Sequence, residues 1–472
     1  MSYFQCNDYY RLLLKTGRLP IPYPYHYPYQ SPAPNLSGDS GCRQHYYGTL
    51  PYDYYYCNDY CSNSGVSDPA MLGPEVPSFP PMSFNQNNLC YRNRDICEEK
   101  YDYHCYDKIP FQDPSSALCF TVQRLVSNVP CAVNLDTNLL DPWGIIIMGD
   151  IVRVVNSGTG LITSYNLVGE QILPPINVFG PVCNIAQPTG IACNCDCNSF
   201  IIVKGPLRAS SSLIITTRDG TINGYNASID PCNSILLIDS SANNSVYTGI
   251  AVVNITSNLF LPKNKSRCAT TVDPNLLVSS ICCRNNIYAA DFYNQRIDVF
   301  DGNLNKITTY PFIDENTNDP IPENFAPYNI VNIGDYLYVT YAKQNPDNSQ
   351  YEFFGPGCGF ISIFTYEGVF VRRFASRGSL NSPWGLILAP TYFSYPAGSI
   401  MVGNYGNGTI SIFDCDGTYI NSLNDSSNNT ICLAGLRGLA LNPNYARILY
   451  WTANDKNLSD ACMGSINTRL II

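Results

Sequence analysis

The sequence carries little charge and no long hydrophobic run. Only 14% of its 472 residues are Asp, Glu, Lys or Arg, against roughly a quarter in typical soluble domains. No apolar stretch approaches the ~20 residues that a bilayer-spanning helix needs, so the sequence predicts no membrane span. The Lys and Arg residues are scattered and the net charge is -10. Because nucleic-acid binding requires a clustered basic surface, we expect no nucleic-acid partner.

Histidine is also scarce. The chain has three histidines, and the last of them is His104. The remaining residues therefore cannot carry out Ser-His-Asp hydrolysis or bind a metal through imidazole. This absence counts against an enzyme without excluding one, because carboxylate and amide oxygens can hold a divalent cation.

Cysteine, in contrast, is abundant, with 21 residues. The chain begins Met-Ser-Tyr-Phe-Gln-Cys, without the charged start and apolar run of a secretory signal. Many cysteines in a reducing cytosol would indicate metal binding or catalysis rather than disulfide bonds. A protein made in the cytosol but exposed to an oxidising assembly pathway, as in large virus particles that carry a thiol oxidase, satisfies both observations.

The first 118 residues are predicted to form an irregular Tyr/Pro/Cys-rich arm. They contain strings such as Pro22-Tyr-Pro-Tyr-His-Tyr-Pro-Tyr29. Alternating proline cannot join a sheet ladder and favours extended polyproline geometry. We therefore expect residues 1–118 to wrap or extend rather than pack, and residues 119–472 to form the folded domain.

Three kinds of short string recur in the same order after Phe120. The first is a Pro or Gly turn that leads into an apolar strand, and it occurs six times, at residues 141–147, 187–192, 247–253, 326–331, 382–388 and 435–441. The second is a β-rich run that ends in a polar turn, and the third alternates apolar and other residues up to an aromatic. Such alternation indicates half-buried strands. Six units of this kind, each burying its faces against its neighbours, predict an all-β, six-bladed β-propeller.

The ends of the repeat predict how the ring closes. The sixth unit stops after its third strand, and residues 120–126 precede the first unit without a unit of their own. We therefore predict that strand 120–126 completes the last blade.

The polar turns at the ends of the second strings predict a candidate binding site. In a propeller these turns lie on one face, around the mouth of the central channel, where ligands bind. The alternative is that Asn and Asp side chains close tight turns by bonding to the backbone. The candidate ligand-binding residues are Asn156, Arg218, Asp219, Asp291, Lys343, Asn404 and Asn454.

Two further patterns concern metal binding and disulfide bonds. We expect no cofactor, but Asp291 and Asn404 could supply oxygen ligands to Ca²⁺ or another divalent cation in the channel. The one-residue gaps around Cys195 do not fit the spacing of structural zinc and favour a disulfide-tied loop. The disulfide candidates are Cys183, Cys193, Cys195, Cys197, Cys282 and Cys283.

Several of the strings, taken together, resemble a known group of propellers. They include Asn381-Ser-Pro-Trp-Gly, Ala326-Pro-Tyr-Asn-Ile and Leu337-Tyr-Val-Thr-Tyr-Ala-Lys, together with residues 289–300 and 355–360. This combination resembles an uncharacterised family of mostly bacterial proteins related to the NHL-type propellers. The Asn-, Tyr- and Ile-rich composition and the added arm resemble a giant DNA virus version of that family.

The resemblance implies a propeller without an established reaction. We therefore expect a non-enzymatic structural or interaction protein, a disulfide-containing component of a giant-virus particle, or alternatively an extracellular protein. Its expected partners are other virion or surface proteins, or a second copy of the chain. The competing hypothesis is a divalent-cation-dependent hydrolase of the lactonase type, acting on a small molecule at the channel mouth.

Overall fold

A computed structural model describes residues 118–256, 283–389, 393–396, 398–442, 447–454 and 460–470. These residues form six sheets of four or five strands, antiparallel except for one short parallel pair between β1 (Leu118–Ser127) and β2 (Asn134–Leu135), with a separate two-stranded hairpin. Two short 3₁₀ turns lie at Pro181–Cys183 and Ser241–Asn243. Within the described ranges no helix is long and apolar enough to cross a bilayer.

Each sheet is one blade. Blade 1 contains β3 (Pro142–Met148), β4 (Ile151–Asn156), β5 (Leu161–Tyr165) and β6 (Gln171–Asn177). Blade 2 contains β7 (Pro188–Cys193), β10 (Leu213–Thr217), β11 (Thr221–Tyr225) and β12 (Ile235–Asp239), with the hairpin β8 (Ile201–Lys204) and β9 (Leu207–Ser210) inserted after β7. Blade 3 contains β13 (Tyr247–Thr256), β14 (Cys283–Asp291), β15 (Arg296–Asp301) and β16 (Lys306–Ile307).

The other three blades complete the ring. Blade 4 contains β17 (Phe325–Ile333), β18 (Tyr336–Gln344), β19 (Glu352–Phe353), β20 (Phe360–Phe364) and β21 (Phe370–Ser376). Blade 5 contains β22 (Pro383–Leu388), β23 (Ile400–Asn404), β24 (Ile410–Phe413) and β25 (Tyr419–Ser422). Blade 6 contains β26 (Leu436–Leu441), β27 (Ile448–Asn454), β28 (Ala461–Leu470), β1 (Leu118–Ser127) and β2 (Asn134–Leu135).

The six innermost strands form a closed ring. Each predicted opening string is the innermost strand of its blade, and β3, β7, β13, β17, β22 and β26 contact one another in that order, with β26 returning to β3. The all-β, six-bladed propeller predicted from the repeats is therefore confirmed.

The blades are held together by apolar side chains packed between their faces. Between blades 6 and 1, for example, Leu125 and Tyr450 pack with Val152, Val154 and Tyr165. All five side chains are nearly or fully buried. Because both faces of a blade are covered by its neighbours, the inner strands carry continuous apolar runs rather than alternating ones.

Glycine allows the inner strands to approach closely. The residue after the first turn of each opening is Gly in five blades, at positions 144, 190, 249, 385 and 438. A Cβ atom added at Gly438 would lie 2.6 Å from the backbone oxygen of Trp143 in blade 1. Larger residues would force the blades apart.

The chain ends meet in blade 6. Strand β1 pairs antiparallel with β28, from Leu118 opposite Leu470 to Ser127 opposite Cys462, with one bulge after Arg124. The last blade is thus completed by the strand predicted from residues 120–126. The boundary of the arm stays a prediction, because residues 1–117 lie outside the described residues.

Candidate functional site

The polar residues predicted to surround the channel mouth do share one face of the disc. In each blade the end of the second strand pairs with the start of the innermost strand, as Asn156 does with Pro142 and Asn404 does with Pro383. Antiparallel pairing therefore places all six second-strand ends on the face where the openings begin. We call this the mouth face.

Two of the predicted residues, Asn156 and Asn404, are fully buried and act inside their own blades. The Asn156 side-chain amide donates to the Val154 and Leu161 carbonyls and to the Thr163 hydroxyl, at 3.0 to 3.2 Å. The Asn404 amide donates to the Ser411 hydroxyl at 3.0 Å, and its oxygen accepts from a backbone amide at 2.9 Å. Both asparagines hold the turn between the second and third strands.

Asp291 occupies the equivalent place in blade 3 and also serves its own turn. Its carboxylate accepts the Val246 backbone amide at 3.1 Å and the Asn294 side-chain amide at 2.9 Å. The Arg296 guanidinium lies 3.2 Å away. Its oxygens are thus occupied by partners from the same blade.

Asp219 makes a contact of the same local kind, whereas Asn454 contacts the neighbouring blade. The Asp219 carboxylate accepts the Gln187 backbone amide at 2.6 Å. The Asn454 amide donates to Asp141 at 3.3 Å, which links blade 6 to blade 1. Asp219 thus stabilises its own blade and Asn454 joins two blades, while a ligand-binding role for either residue stays a prediction.

Arg218 and Lys343 differ from the other five predicted residues, because both contact a loop that crosses the channel mouth. Arg218 donates to the Gln350 carbonyl at 2.8 Å and lies 4.1 Å above the ring of Tyr351. The Lys343 ammonium lies 4.9 Å from the centre of the Phe353 ring. We call residues 345–359, between β18 and β20, the mouth loop.

The mouth loop joins blade 4 to three other blades. Besides its contact with Arg218 of blade 2, its Gly355 amide donates to Asn381 at 2.8 Å and its Phe353 carbonyl accepts from Ser382 at 3.2 Å, both at the start of blade 5. Its Glu352 carboxylate lies 3.8 Å from Arg437 of blade 6. The loop therefore covers the mouth, and its ring-bearing side chains Tyr351, Phe353 and Phe354 are 47, 41 and 37% exposed.

Below the loop, side chains from the inner strands fill the channel mouth. The residue before the Gly position of each opening, which is Asn329 in blade 4, is large in four blades and threonine in two, in the order Trp143, Thr189, Thr248, Tyr328, Trp384 and Arg437. Trp143 of blade 1 meets Tyr328 of blade 4 and Trp384 of blade 5 edge-on, with ring centres 6.2 and 6.0 Å apart. These blades are not neighbours, so the contacts cross the axis.

Arg437 is the charged centre of this packing. Its guanidinium lies 3.5 Å from the centre of the Trp143 ring and 4.2 Å from that of Tyr405, and it donates to the Tyr328 hydroxyl at 3.2 Å. Carboxylates of Asp141 and Glu352 lie 3.7 and 3.8 Å away.

Arg437 is charged despite its burial, and the surrounding groups explain why. Burial acts to lower its pKa, but the phenols of Tyr328 and Tyr405 and the carboxylates of Asp141 and Glu352 together raise that pKa above its ordinary value. Burial also raises the pKa of the Tyr328 phenol. The site therefore holds a buried cation, stacked between aromatic rings and faced by two carboxylates.

Sequence reasoning did not identify Arg437 or the mouth loop. The end of the mouth loop, Gly355-Pro-Gly-Cys-Gly, turns into β20, and the Cys358 amide donates to the Gly355 carbonyl within that turn. The informative signal was length, because residues 345–359 separate β18 from β20 where residues 157–160 separate β4 from β5. Arg437 could have been found by aligning it with Trp143 and Trp384.

Some of the cysteines predicted to form disulfide bonds lie among the described residues. Cys195 and Cys197 are disulfide-bonded, as is Cys232, and Cys193 is the last residue of β7. Cys282 and the side chains of Cys183 and Cys283 lie outside the described residues, so those predictions stay untested. Among the described residues no group of three or more His, Cys, Asp or Glu side chains could hold a metal ion.

Comparisons with known proteins give viral relatives. No family model matches the chain. An uncharacterised protein of Acanthamoeba polyphaga mimivirus is 35% identical over 424 residues, which cover 88% of this chain and 98% of that protein. A second uncharacterised mimivirus protein is 40% identical over 345 residues, covering 73% of this chain and 59% of its own.

Solved structures with a similar fold have little sequence in common with this chain. A streptogramin B lyase matches 74% of this chain and 98% of its own with a TM-score of 0.39 and 13% identity. At that level the similarity concerns the fold alone.

Proposed function

Because the chain belongs to the family of mimivirus proteins just described, we propose that it is a non-enzymatic structural or interaction protein of the virus particle. The propeller serves as a rigid scaffold, and its partners are other virion or surface proteins or a second copy of the chain. The giant-virus relatives agree with the composition of the sequence. Location in the virus particle is the part of the proposal that the relatives do not themselves supply.

One observation carries this proposal. The mouth face, where a propeller would normally bind a small molecule, is filled by Trp143, Tyr328, Trp384 and Arg437 and is covered by the mouth loop. The polar residues that an open site would use are instead held by contacts within the protein. A covered channel favours recognition at the outer surface over chemistry inside.

The mouth loop supplies a surface suited to protein recognition. Tyr351, Phe353 and Phe354 are exposed, and the first two lie beside the cations Arg218 and Lys343. Aromatic residues and arginine dominate the binding energy of protein interfaces. We therefore assign the partner contact to this loop.

The alternative, a cation-dependent hydrolase, has less support. A divalent cation would need the oxygens of Asp291 and Asn404. The Asp291 carboxylate accepts two amides and pairs with Arg296, and the Asn404 oxygen accepts the Asn381 amide. Freeing them would break the turns that these residues hold.

The test of location is quantitative mass spectrometry of purified, protease-treated virus particles under non-reducing conditions. We expect the chain in the particles at a constant ratio to other particle proteins, with disulfide-linked cysteines. Detection of the chain only in the cytosol of infected cells, with every thiol reduced, would overturn the proposal.

The test of the surface is incorporation of variants. We expect Tyr351→Ala combined with Phe353→Ala to lower the amount of protein in particles several-fold while the isolated protein keeps its thermal midpoint. Tyr419→Ala is the matched control, because Tyr419 on β25 is 45% exposed but lies on an outer strand. Equal incorporation of the wild type, the double variant and the Tyr419→Ala control would contradict a role for the mouth loop.

A further inference from the structure

A compact group of reactive side chains lies where the two chain ends meet in blade 6. It consists of Arg124 and Ser127 on β1, Cys131 just after β1, Asp460, and Cys462 on β28. We call it the seam cluster. Its members come from opposite ends of the described chain and are brought together by the β1–β28 pairing, which aligns Ser127 with Cys462.

Cys131 is held in place by three polar contacts. Its sulfur lies 3.2 Å from the Ser127 hydroxyl, 3.3 Å from an Asp460 carboxylate oxygen and 3.2 Å from the Arg124 guanidinium. Arg124 in turn donates to Asp460 at 2.8 Å. The Cys131 thiol is exposed and is not in a disulfide bond.

Cys462 lies on the inner side of the same group. It is also a free thiol, but it is only 3% exposed. It borders a small pocket of about 40 Å³ that Arg124, Asp460 and Trp451 also line. The pocket leaves room for the thiol to turn toward the seam.

The pairing register and a hydrogen bond bring both cysteines to the same neighbour, Ser127. Directly opposed residues on antiparallel strands have Cβ atoms ~4.5–5.5 Å apart and on the same face. The side chain of Cys462 therefore lies beside that of Ser127, whose hydroxyl contacts the Cys131 sulfur. A disulfide needs Cβ atoms ~3.5–4.5 Å apart, so the connection after β1, which carries Cys131, must move toward β28 for the bond to form.

We propose that Cys131 and Cys462 form a reversible disulfide bond that closes the propeller ring covalently. The oxidant is a disulfide, either a small molecule such as oxidised glutathione or the active-site disulfide of a thiol oxidase. The bond is a modification site on blade 6 itself, at the mouth-face end of β28 and outside the mouth loop, and it goes beyond the proposed scaffold role.

The chemistry balances as two exchange steps. The Cys131 thiol gives its proton to solvent, the resulting thiolate attacks one sulfur of oxidised glutathione, and one glutathione thiolate departs. The Cys462 thiolate then attacks the mixed disulfide and expels the second glutathione. The two cysteines lose two electrons and two protons, and the oxidant is reduced to two glutathione thiols.

The surroundings assign the order of the two steps. Cys131 is exposed and meets the oxidant first. Burial raises the pKa of the Cys462 thiol to about 12, so this thiol is a poor first nucleophile and acts only once the mixed disulfide is held beside it.

The experiment uses the full chain, purified in reduced form and equilibrated with increasing ratios of oxidised to reduced glutathione. Thiols are trapped with a light alkylating reagent before reduction and a heavy one after it, and the peptides are identified by mass spectrometry. We expect the light label on Cys131 and Cys462 to fall together by at least ten-fold, with a peptide linking the two residues.

Formation of the Cys131–Cys462 disulfide should also raise the thermal midpoint of the protein. Because the bond joins positions roughly 330 residues apart, we expect an increase of about 5–8 °C on oxidation. Cys131→Ser and Cys462→Ser should each abolish this increase, while Cys358→Ser, which removes a free thiol from the mouth loop, should leave it intact.

Three results would overturn the proposal. One is that both cysteines carry the light label, and so remain free thiols, at every glutathione ratio. Another is linkage of Cys131 to a cysteine of residues 1–117. The third is a rise in midpoint that survives in Cys131→Ser, which is an exposed position and should not disturb folding of the reduced protein.

Discussion

Replacing Arg437 by methionine should destabilise the whole disc, because it removes the cation that lies within 4 Å of both the Asp141 and the Glu352 carboxylate. Methionine keeps the aliphatic stem and much of the volume between Trp143 and Tyr405. Asp141 and Glu352, whose side chains are 16 and 7% exposed, would then face each other's charge without a counterion.

The magnitude follows from the contacts. Removing one partner of a buried ion pair costs ~3–5 kcal/mol, and we take about 3 because the charges here are 3.7 and 3.8 Å apart. The lost hydrogen bond from Arg437 to Tyr328 adds about 1 kcal/mol. For roughly 350 folded residues the entropy of unfolding is about 0.7 kcal/mol/K, so a loss of about 4 kcal/mol lowers the midpoint by about 5–6 °C.

A double-mutant cycle provides the assay, with thermal unfolding followed by circular dichroism. Glu352→Gln should lower the midpoint in the wild-type protein, where it weakens the pair with Arg437, and raise it in the Arg437→Met background, where it removes an uncompensated charge. An effect of the same sign in both backgrounds, or a change below 1 °C in Arg437→Met, would refute the electrostatic account of the mouth.

Three further predictions concern closure, packing and pH. Deleting residues 118–127 should lower the single thermal midpoint of the entire disc, and a midpoint equal to that of the full chain would contradict closure by β1. Gly438→Ala should lower the midpoint by about 2–4 °C, because its Cβ would lie 2.6 Å from three atoms, whereas Gly355→Ala, with 3.5 Å of space, should be neutral in the same scan. The hydrogen bond from Arg377 lowers the pKa of the Asp319 carboxyl, so its stabilising effect is present above the unfolded pKa of about 3.9 and is lost as the pH falls through the lower folded value. The midpoint difference between wild type and Asp319→Asn should therefore shrink from pH 6 to pH 3, and a constant difference would exclude this pair as the cause.

The fold could be predicted from sequence because the same local patterns of turn and strand residues recur in each blade. The openings around Trp143, Trp384 and Arg437 place Pro or Gly before an apolar strand, and the turn chemistry and alternation that follow depend on neighbouring residues in the chain. Closure of the ring by β1 could also be predicted, because the sixth repeat lacks its fourth strand and residues 120–126 form a strand that belongs to no repeat. Local patterns therefore carried most of the topology.

The contents of the candidate site could not be predicted in the same way. Asn156 and Asp291 were correctly placed on the mouth face, but whether a polar side chain turns toward a ligand or back toward its own turn depends on contacts that spacing does not encode. The covering of the mouth depends on one insertion, residues 345–359, which contacts three other blades. The pairing of Cys131 with Cys462 depends on strand register between opposite ends of the chain.

The position of the two chain ends has a mechanical consequence. Leu118 and Leu470 are register partners at one end of the β1–β28 ladder, and Ser127 and Cys462 are partners at the other. A force applied between the ends would unzip the ladder one hydrogen bond at a time, whereas a force between the start of β1 and a distant blade would load those bonds together in shear. A chain held through its first 117 residues and at its mouth face would thus resist pulling far better than one held by its two ends.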